Sequence, residues 1–479
     1  MKQILYTASL TVLAGFLSAQ AKVALAPVFA DNMVLQRGKP AAVWGTADAG
    51  EKVSVSFAGQ TVKAEADEKG AWKLRLQPLD TSKENRTLTA RGRDNTITVK
   101  NVLVGEVWLC SGQSNMEQPL WGKHPTFRDE KGAMMASLAD YPLIRFSRMG
   151  RYDFSTKPRT DYPMEWKIMG PDNVAKLSAV SFYYGVELHH ALDIPIGLIT
   201  SHWGGTRIEP WTPPCGFASV PSLKGIFESL SSLKPRDKPE NVKKLRQQPT
   251  VLYNRMIYPF VPYTMRGAIW YQGESNLRDG AVYYDKMQAL LNGWKEVFEN
   301  PELKFYFVQI APYTYGGDPK RLPNFWVTQQ KFADDEKDAG MAIITDVANL
   351  KDIHPGDKET VGRRLALLAL NRDYGMKHIK ADSPTIREGR VENGKVVLTF
   401  NNAEGWYTRK NKPARHFEVA GADSSFVSAE LEIKGARLIV SSDKVAEPKK
   451  VRFMWNQTCE CNLYNESCLV PNAFNIDVK

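Results

Sequence analysis

The pattern of apolar and polar positions divides the chain into three stretches, and the first is typical of a small all-β domain. Between residues 22 and 102, apolar and polar residues alternate in short runs at 41–45, 52–57 and 71–76. Gly, Asp and Asn separate such runs at intervals of roughly ten residues, as turns between antiparallel strands require. We therefore predict an N-terminal β-sandwich domain over residues 22–102.

The middle stretch, residues 103–377, alternates strand-like apolar runs with longer helical patterns. The predicted strands are 106–110, 143–146, 196–200, 267–271, 305–310 and 342–346, and the predicted helices are 179–192, 283–298 and 358–374. In the last helix, Val361, Leu365, Leu368 and Ala369 fall on one face. This alternation predicts an α/β domain in which helices cover both faces of a parallel sheet, with sites at the carboxyl ends of the strands.

The last stretch, residues 378–479, returns to β character. Residues 391–400 predict a hairpin with a turn at Asn393-Gly394, and 426–433 and 438–441 predict further strands. We expect a C-terminal β-rich domain here. Within the middle domain, the Lys-, Pro- and Gln-rich segment 230–250 predicts a surface excursion.

Residues 1–21 have the features of a secretory signal peptide. Lys2 precedes an apolar run over 4–17, and Ala19-Gln20-Ala21 is a small-x-small cleavage pattern. A buried first helix is the alternative. The signal predicts an exported protein, periplasmic or extracellular. No later run of about 20 uncharged apolar residues occurs, so we expect no membrane span after signal removal.

Composition changes this picture little. The 479 residues are 43% apolar, which excludes wholesale disorder. The net charge of +10 is spread along the chain, so we expect a mildly basic surface rather than a nucleic-acid groove. Of the five cysteines, Cys110 falls inside an apolar strand and is expected to be buried. In an oxidising compartment Cys468 is expected to pair with Cys459 or Cys461.

Two strand-end segments carry candidate chemistry early in the middle domain. Ser114, in Gly-Gln-Ser-Asn-Met, follows the first predicted strand, where backbone N–H groups of a following helix suit an oxyanion. The alternative is a helix-capping serine. Gly204-Gly205 follows the strand 196–200, and paired glycines let backbone N–H groups approach a ligand, although a tight turn would use the same residues.

Two more segments follow later strands. Gln272 could donate its amide to an oxyanion, or could cap a core strand. His354 has Asp352 two residues before it, and an imidazole held by a carboxylate is the base that a serine nucleophile needs. The alternative is a capping Asp beside a surface His. Together the four loops supply every group that acyl transfer requires, with no metal or organic cofactor.

The sequence resembles the sialate O-acetylesterase branch of the SGNH hydrolases. The resemblance lies in the motifs at 32–37, 104–116, 204–206, 270–276, 352–355 and 462–465, and it spans nearly the whole chain after residue 21. It implies a carbohydrate O-acetylesterase with a flavodoxin-like, three-layer core flanked by β domains.

The resemblance also implies a role for each motif residue. Ser114 would be the nucleophile and His354 the general base. The oxyanion hole would use the backbone N–H groups of Ser114 and of Gly205 or its neighbour, and the side chain of Gln272. Many SGNH enzymes place Asp three residues before His. Asp352 is therefore the first candidate for the orienting acid, with Asp346 in reserve.

The remaining predicted site residues are substrate contacts. They flank the catalytic groups in the same motifs: Gln113, Asn115, Trp203, Arg207 and Glu274. Trp203 and Arg207 could equally pack, and Glu274 could orient a neighbour. The expected partner is an O-acetylated carbohydrate, with sialic acids as the first candidate. Acetylated xylan is one alternative, and a non-catalytic carbohydrate-binding protein is another.

Overall fold

The computed structural model describes residues 22–149, 153–234 and 241–479. The predicted signal peptide, residues 1–21, lies outside the described residues. The chain folds into a mixed α/β structure with a central mixed sheet and additional β-sheets at both ends. No helix in the described ranges combines the length and apolar character that a bilayer crossing requires.

The N-terminal stretch forms short strands, as its alternation predicts. In chain order they are β1 (Ala24–Leu25), β2 (Val34–Gln36), β3 (Ala41–Thr46), β4 (Lys52–Phe57), β5 (Gln60–Glu65), β6 (Ala71–Leu76), β7 (Ser82–Arg91) and β8 (Thr96–Gly112). Strands β1, β3 and β6 form one antiparallel sheet, while β5, β4 and β7 pair in that order and join β8. β8 runs through the predicted boundary at residue 102, so the N-terminal and central sheets share a strand.

In its described residues the middle stretch forms six strands and nine α-helices. The strands are β9 (Tyr141–Arg148), β10 (Trp166–Met169), β11 (Ile196–His202), β12 (Gly267–Tyr271), β13 (Lys304–Val308) and β14 (Ala339–Ala342). The helices are α1 (Ser114–Glu117), α2 (Gly132–Leu138), α3 (Ala179–Leu192), α4 (Pro214–Ala218), α5 (Lys224–Ser229), α6 (Val242–Leu245), α7 (Val282–Val297), α8 (Arg321–Asp335) and α9 (Lys358–Arg372).

The central sheet has the order β10-β9-β11-β8-β12-β13-β14. Strands β9, β11, β8, β12, β13 and β14 pair in parallel, and β10 is an antiparallel edge strand. Alternate residues of β8 enter two apolar clusters, with Val107 and Leu109 in one and Trp108 and Cys110 in the other. The first cluster includes residues of α7 and α8, and the second includes residues of α3 and α9.

The local sequence explains the long helices. Ser178 and Asp357 cap α3 and α9 by accepting hydrogen bonds from the backbone N–H groups three residues later. Asp193 ends α3 in the left-handed region at φ 52°. In α9 the predicted apolar face, which includes Val361 and Leu365, is buried.

The predicted strand 342–346 is displaced in the structure. β14 ends at Ala342, and the backbone turns so that the Val347 N–H donates to the Ile344 carbonyl at 3.2 Å. The Ile343 carbonyl accepts a hydrogen bond from Arg364 of α9 instead of a strand partner. The apolar run therefore predicts a strand, but residues 343–346 form a buried loop after the end of β14.

The C-terminal stretch forms three small antiparallel sheets. Their strands are β15 (Thr385–Glu392), β16 (Lys395–Asn401), β17 (Tyr407–Thr408), β18 (Phe417–Ala420), β19 (Val427–Ser428), β20 (Glu430–Lys434), β21 (Arg437–Ser441), β22 (Lys450–Phe453), β23 (Leu463–Tyr464) and β24 (Phe474–Asp477). The predicted hairpin is β15–β16, with its turn at Asn393-Gly394.

The predicted disulfide does not form. All five cysteines lie in the described ranges, and all are free thiols. Cys459 and Cys461 are buried, whereas the Cys468 sulfur is at an exposed position and accepts a hydrogen bond from Tyr407 at 3.3 Å. Cys110 is buried, as predicted, and burial raises the pKa of its thiol to about 12.

Candidate active site

The candidate site lies where three parallel strands end at the same level. Gly112, the last residue of β8, is in register with His202 at the end of β11 and with Tyr271 at the end of β12. β8 is the central strand. The earlier strands β9 and β11 lie on one side of it, and the later strands β12 to β14 lie on the other. Such a switch in strand order opens a crevice at the carboxyl ends of the strands.

The turn after β8 presents Ser114 to this crevice. Gly112 has φ +146°, and a Cβ there would lie 2.2 Å from the Tyr271 carbonyl oxygen, so the position requires glycine. Gln113 then donates its N–H to the same carbonyl, and α1 begins at Ser114. Ser114 is half-buried, and its hydroxyl makes no hydrogen bond to any residue of the described ranges.

The loop after β11 touches the serine directly. A Cβ on Gly204 would lie 3.2 Å from the Ser114 Cβ, so a larger residue here would force one of the two segments to shift. The Gly204 N–H donates to the Glu117 carboxylate. Within the part of the chain that the structure describes, the N–H groups of Ser114 and Gly205 have no such acceptor. They remain available to an oxyanion.

His354 lies beside Asp352, as the sequence predicts. The His354 Nδ1 is 3.3 Å from the Asp352 Oδ1, which also accepts the backbone N–H of His354 at 2.9 Å. The Phe127 ring packs edge-on against the imidazole, with centroids 4.9 Å apart. Burial lowers the pKa of His354, the charge of Lys358 lowers it further, and Asp352 opposes both.

Asp346, the reserve candidate, binds a different partner. Its carboxylate forms two hydrogen bonds with the buried guanidinium of Arg364, at 2.7 and 2.8 Å. Arg364 also donates to the Cys468 carbonyl, so this ion pair joins α9 to the C-terminal stretch. The geometry brings Asp352, rather than Asp346, to His354.

Asn115 links the serine turn to the histidine loop instead of facing the crevice. Its amide nitrogen donates to the Ile353 carbonyl at 3.0 Å and to the Glu274 carboxylate at 2.6 Å. Its oxygen accepts from the Lys358 ammonium at 2.7 Å. Asn115 is fully buried. Asn115 and Glu274 therefore connect three loops to one another. Substrate contacts were predicted for both residues, but in the structure their side chains bind other parts of the protein.

The cluster formed by Asn115 and Glu274 also contains a buried lysine. Lys358, at the start of α9, is fully buried, and burial lowers the pKa of its ammonium to about 7 against the opposing charge of Glu274. Burial also raises the pKa of Glu274. The sequence carries one signal of this role, because a cation is disfavoured in the first turn of a helix.

Gln272 and Gln113 also lie in a buried network. The Gln272 amide nitrogen donates to Asn276 at 2.7 Å and to Gln113 and the Thr206 carbonyl, both at 3.1 Å. Gln272 is fully buried and Gln113 is 3% exposed. The structure thus buries the Gln272 amide, and its N–H groups donate to these three acceptors. Its predicted part in the oxyanion hole stays a prediction.

The two predicted contacts after β11 differ in their surroundings. Arg207 binds the carboxylates of Glu209 and Asp279 and the Ser275 carbonyl, all within 3.2 Å. It is therefore part of the framework. Trp203 is half-buried, and the guanidinium of Arg246 lies 4.9 Å from the centre of its ring.

Sequence reasoning missed Phe127 and Arg246, and no motif marks either residue. Both lie in segments remote from the strand ends that guided the predictions. Within residues 22–149, 153–234 and 241–479, no group of three or more His, Cys, Asp and Glu side chains is arranged to hold a metal ion. The candidate site thus consists of a serine, a histidine–aspartate pair and two backbone N–H groups. The buried cluster of Asn115, Glu274 and Lys358 connects the loops that carry them.

Comparisons with known proteins place the chain in a family. Residues 104–354 match the family described as carbohydrate esterase, sialic acid-specific acetylesterase. The chain is 28% identical to the human sialate O-acetylesterase and 27% identical to the mouse protein. These alignments cover 92% of this chain, 90% of the human protein and 92% of the mouse protein.

A solved structure is similar over nearly the whole length. It is a carbohydrate acetylesterase from Xanthomonas citri, 32% identical in sequence, with a TM-score of 0.83 over 95% of this chain and 99% of that one. The expectation of an esterase is confirmed. The chain belongs to the sialic acid-specific acetylesterase family of carbohydrate esterases and is a carboxylic ester hydrolase.

Proposed function

We propose that the protein removes O-acetyl groups from sialic acids by a serine mechanism with an acetyl-enzyme intermediate. The observation that carries this proposal is the hydrogen bond between the residues adjoining the two reacting groups. Asn115, next to Ser114, donates to the carbonyl of Ile353, next to His354. This bond fixes the serine turn against the histidine loop, which is the positioning that nucleophilic catalysis needs.

Acylation begins with proton transfer. Asp352 accepts the Nδ1–H of His354 and so leaves Nε2 as the base. Nε2 takes the proton of the Ser114 hydroxyl while Oγ attacks the acetyl carbonyl carbon. The tetrahedral oxyanion accepts hydrogen bonds from the backbone N–H groups of Ser114 and Gly205. When the intermediate collapses, His354 returns the proton to the sugar oxygen, and the free hydroxyl leaves.

Deacylation repeats these steps with water. His354 takes a proton from the water, whose oxygen attacks the acetyl-Ser114 carbonyl, and the same two N–H groups bind the second oxyanion. Collapse gives acetic acid and regenerates the Ser114 hydroxyl with the proton held by His354. Because Phe127 packs against the imidazole, it shields one side of the base from solvent.

The proposal includes the finer fold and location. The parallel part of the central sheet, with apolar clusters on both faces, suits a three-layer SGNH core. The predicted division at residues 102–103 and 377–378 remains our proposal for the domains, although β8 crosses the first boundary. Export by the predicted signal, residues 1–21, would deliver the enzyme to extracellular or periplasmic glycans.

Acetate release across a panel of esters tests this function. The panel contains O-acetylated sialic acids, acetylated xylo-oligosaccharides and a neutral aryl acetate. We expect turnover of all acetyl esters that reach Ser114, with the highest kcat/KM for acetylated sialic acids. A preference for the xylo-oligosaccharides would assign plant glycans as substrates. Glycan binding without acetate release from any ester would identify a binding protein and refute the proposal.

A further inference from the structure

The loop that follows α1 carries two aromatic rings in different surroundings. Phe127 packs against the His354 imidazole, with ring centroids 4.9 Å apart. Trp121 lies earlier in the same loop, and 36% of its surface is exposed. A single exposed apolar side chain is ordinary at a protein surface, so the exposure of Trp121 alone assigns it no role. The case for a role rests on how this ring is held and on what surrounds it.

The loop is tied to both segments that carry the reacting groups. Gln118 comes directly after α1, the helix that begins at Ser114. Its side-chain amide donates to the Arg128 carbonyl at 2.8 Å and to the carbonyl of Pro355, the residue after His354, at 3.4 Å. An aromatic ring on this loop is therefore held in a fixed relation to the nucleophile and the base.

The Trp121 ring is ordered by its neighbours. The guanidinium carbon of Arg128 lies 3.9 Å from the centre of the ring, and Nη1 of the same arginine donates to the Gly122 carbonyl at 3.3 Å. A guanidinium over an indole is attracted by the electrons of the ring face and restricts the orientation of the ring. A ring that is already ordered loses little conformational entropy when a ligand covers its exposed surface.

Polar side chains surround a cavity beside this ring. The Trp121 N–H donates to the Ala175 carbonyl at 2.8 Å, and Ala175 lines a cavity of about 460 Å³. Small-molecule sites have volumes of roughly 300–1,000 Å³. The cavity wall includes Lys167, Asn173 and Lys176, which carry hydrogen-bonding groups. A sugar has an apolar face of C–H groups and an edge of hydroxyl groups, so it matches an aromatic ring beside polar side chains.

We propose that the sugar that carries the acetyl ester stacks on Trp121, and that Arg128 positions the indole for this contact. This inference rests on the proposed function and adds a binding residue for the sugar half of the substrate. Ser114 and His354 act on the acetyl group, which is the same in every acetyl ester. Trp121 then distinguishes sugar acetates from the acetates of small alcohols.

The test compares two esters that form the same acetyl-enzyme, an O-acetylated sialic acid and ethyl acetate, whose leaving group has no ring. Because the acetyl half is common to both, a residue that binds only the sugar changes kcat/KM for the sugar ester alone. The variants are Trp121→Ala, Trp121→Phe and, as the matched control, Phe227→Ala, which removes a 41% exposed aromatic ring from α5. The measured quantity is the ratio of kcat/KM for the sugar ester to kcat/KM for ethyl acetate, together with Tm.

We expect Trp121→Ala to lower this ratio by about 10- to 100-fold at an unchanged Tm, as for the loss of a tryptophan contact at a binding site. Trp121→Phe should keep most of the ratio because a ring remains, and Phe227→Ala should match the wild type. An unchanged ratio in Trp121→Ala, an equal loss on both esters, or the same fall in Phe227→Ala would overturn the inference. A wild type that hydrolyses neither ester would refute the proposed function instead.

Discussion

At the scale of single residues, Asp352 and Asp346 carry the same side chain but have different partners. The Asp352 side chain is 23% exposed and lies 3.3 Å from the His354 ring, whereas the Asp346 side chain is 3% exposed and pairs with Arg364. One carboxylate can stabilise an imidazolium that forms during the reaction. The other neutralises a buried cation permanently, which is a contribution to folding.

Substitution of Asp352 should therefore affect catalysis, whereas substitution of Asp346 should affect stability. Asp352→Asn keeps the shape but removes the charge that orients His354, and we expect kcat to fall by up to about 10,000-fold with little change in Tm. Asp346→Asn leaves Arg364 buried without its counter-charge, and we expect a loss of about 3–5 kcal/mol in the free energy of unfolding. Steady-state kinetics and thermal unfolding of both variants check this. Collapse of kcat in Asp346→Asn alone would reverse the assignment.

The charges around His354 predict a pH dependence. Asp352, Lys358 and His124 face the imidazole, and burial together with the Lys358 charge holds its pKa below the ordinary value. The base must be neutral, so kcat/KM should fall only when the pH drops through this lowered pKa. Lys358→Met removes a positive charge and should raise the His354 pKa, which moves the acid limb of kcat/KM to higher pH.

The matched control for this change is Lys351→Met, an exposed lysine in the same loop. It should leave the acid limb of the pH profile where it is in the wild type. A limb that stays in place in Lys358→Met, or moves to lower pH, would show that Lys358 does not act on His354.

Residue type predicted that polar groups lie at the strand ends, but not which partners their side chains bind. Ser114 and His354 could be named as candidates because they follow predicted strands in recognisable motifs. Asn115, Gln272 and Arg207 occur in the same motifs, yet their polar atoms bond to neighbouring loops. A sequence cannot distinguish a side chain that binds a ligand from one that binds a neighbouring loop, because both require a polar group at a strand end.

At the scale of elements, the site depends on the contact between the loops after β8 and β11. Gly204→Ala would place a Cβ 2.9 Å from the Glu117 carboxylate and 3.2 Å from the Ser114 Cβ, so the loop must move away. Because a displacement of about 1 Å can cost 100-fold in rate, we expect a fall of that order in kcat with a small change in Tm. Kinetics and thermal unfolding of the variant measure both effects.

Gly225→Ala is the control for that experiment. Gly225 lies in α5, and a Cβ there meets nothing within 4 Å, so wild-type kinetics are expected. If Gly204→Ala kept wild-type turnover, the close approach of this loop would have no part in catalysis.

Elements were more predictable than their ends. The apolar face of α9 and the buried runs of β8, β11 and β12 follow directly from the sequence pattern. The run that ends at Asp346 misled the prediction, because Arg364 binds the Ile343 carbonyl and replaces the missing strand partner. That contact joins residues 21 positions apart, and local sequence patterns do not contain it.

At the scale of the whole molecule, one buried carboxylate ties the N-terminal strands to the central sheet. Glu106 of β8 is fully buried and binds Arg37 at 2.6 Å, Arg266 at 3.0 Å and Gln36 at 2.9 Å. Burial alone would raise the pKa of Glu106, but the two arginines and Gln36 together hold it below the ordinary value. The N-terminal stretch is thereby joined to the strand that leads to Ser114.

Glu106→Gln should lower the free energy of unfolding by about 3 kcal/mol at neutral pH, because two partly buried guanidinium groups lose their shared counter-charge. The pKa of Glu106 is lower in the folded than in the unfolded protein. Its contribution is therefore present above the unfolded pKa and disappears as the pH falls through the folded pKa. Denaturation at several pH values should show the two proteins converging in strong acid. A constant difference across this range would contradict the assignment.

The central claim is that Ser114 is the nucleophile of an O-acetylesterase, and the most direct measurement is acetate release by Ser114→Ala. The control is Ser137→Ala, which removes an exposed hydroxyl from α2. On an O-acetylated sialic acid, kcat of Ser114→Ala should fall by at least about 1,000-fold, as for the loss of a triad nucleophile, while Tm stays at the wild-type value. Turnover within about tenfold of the wild type, in a protein of unchanged Tm, would contradict the account.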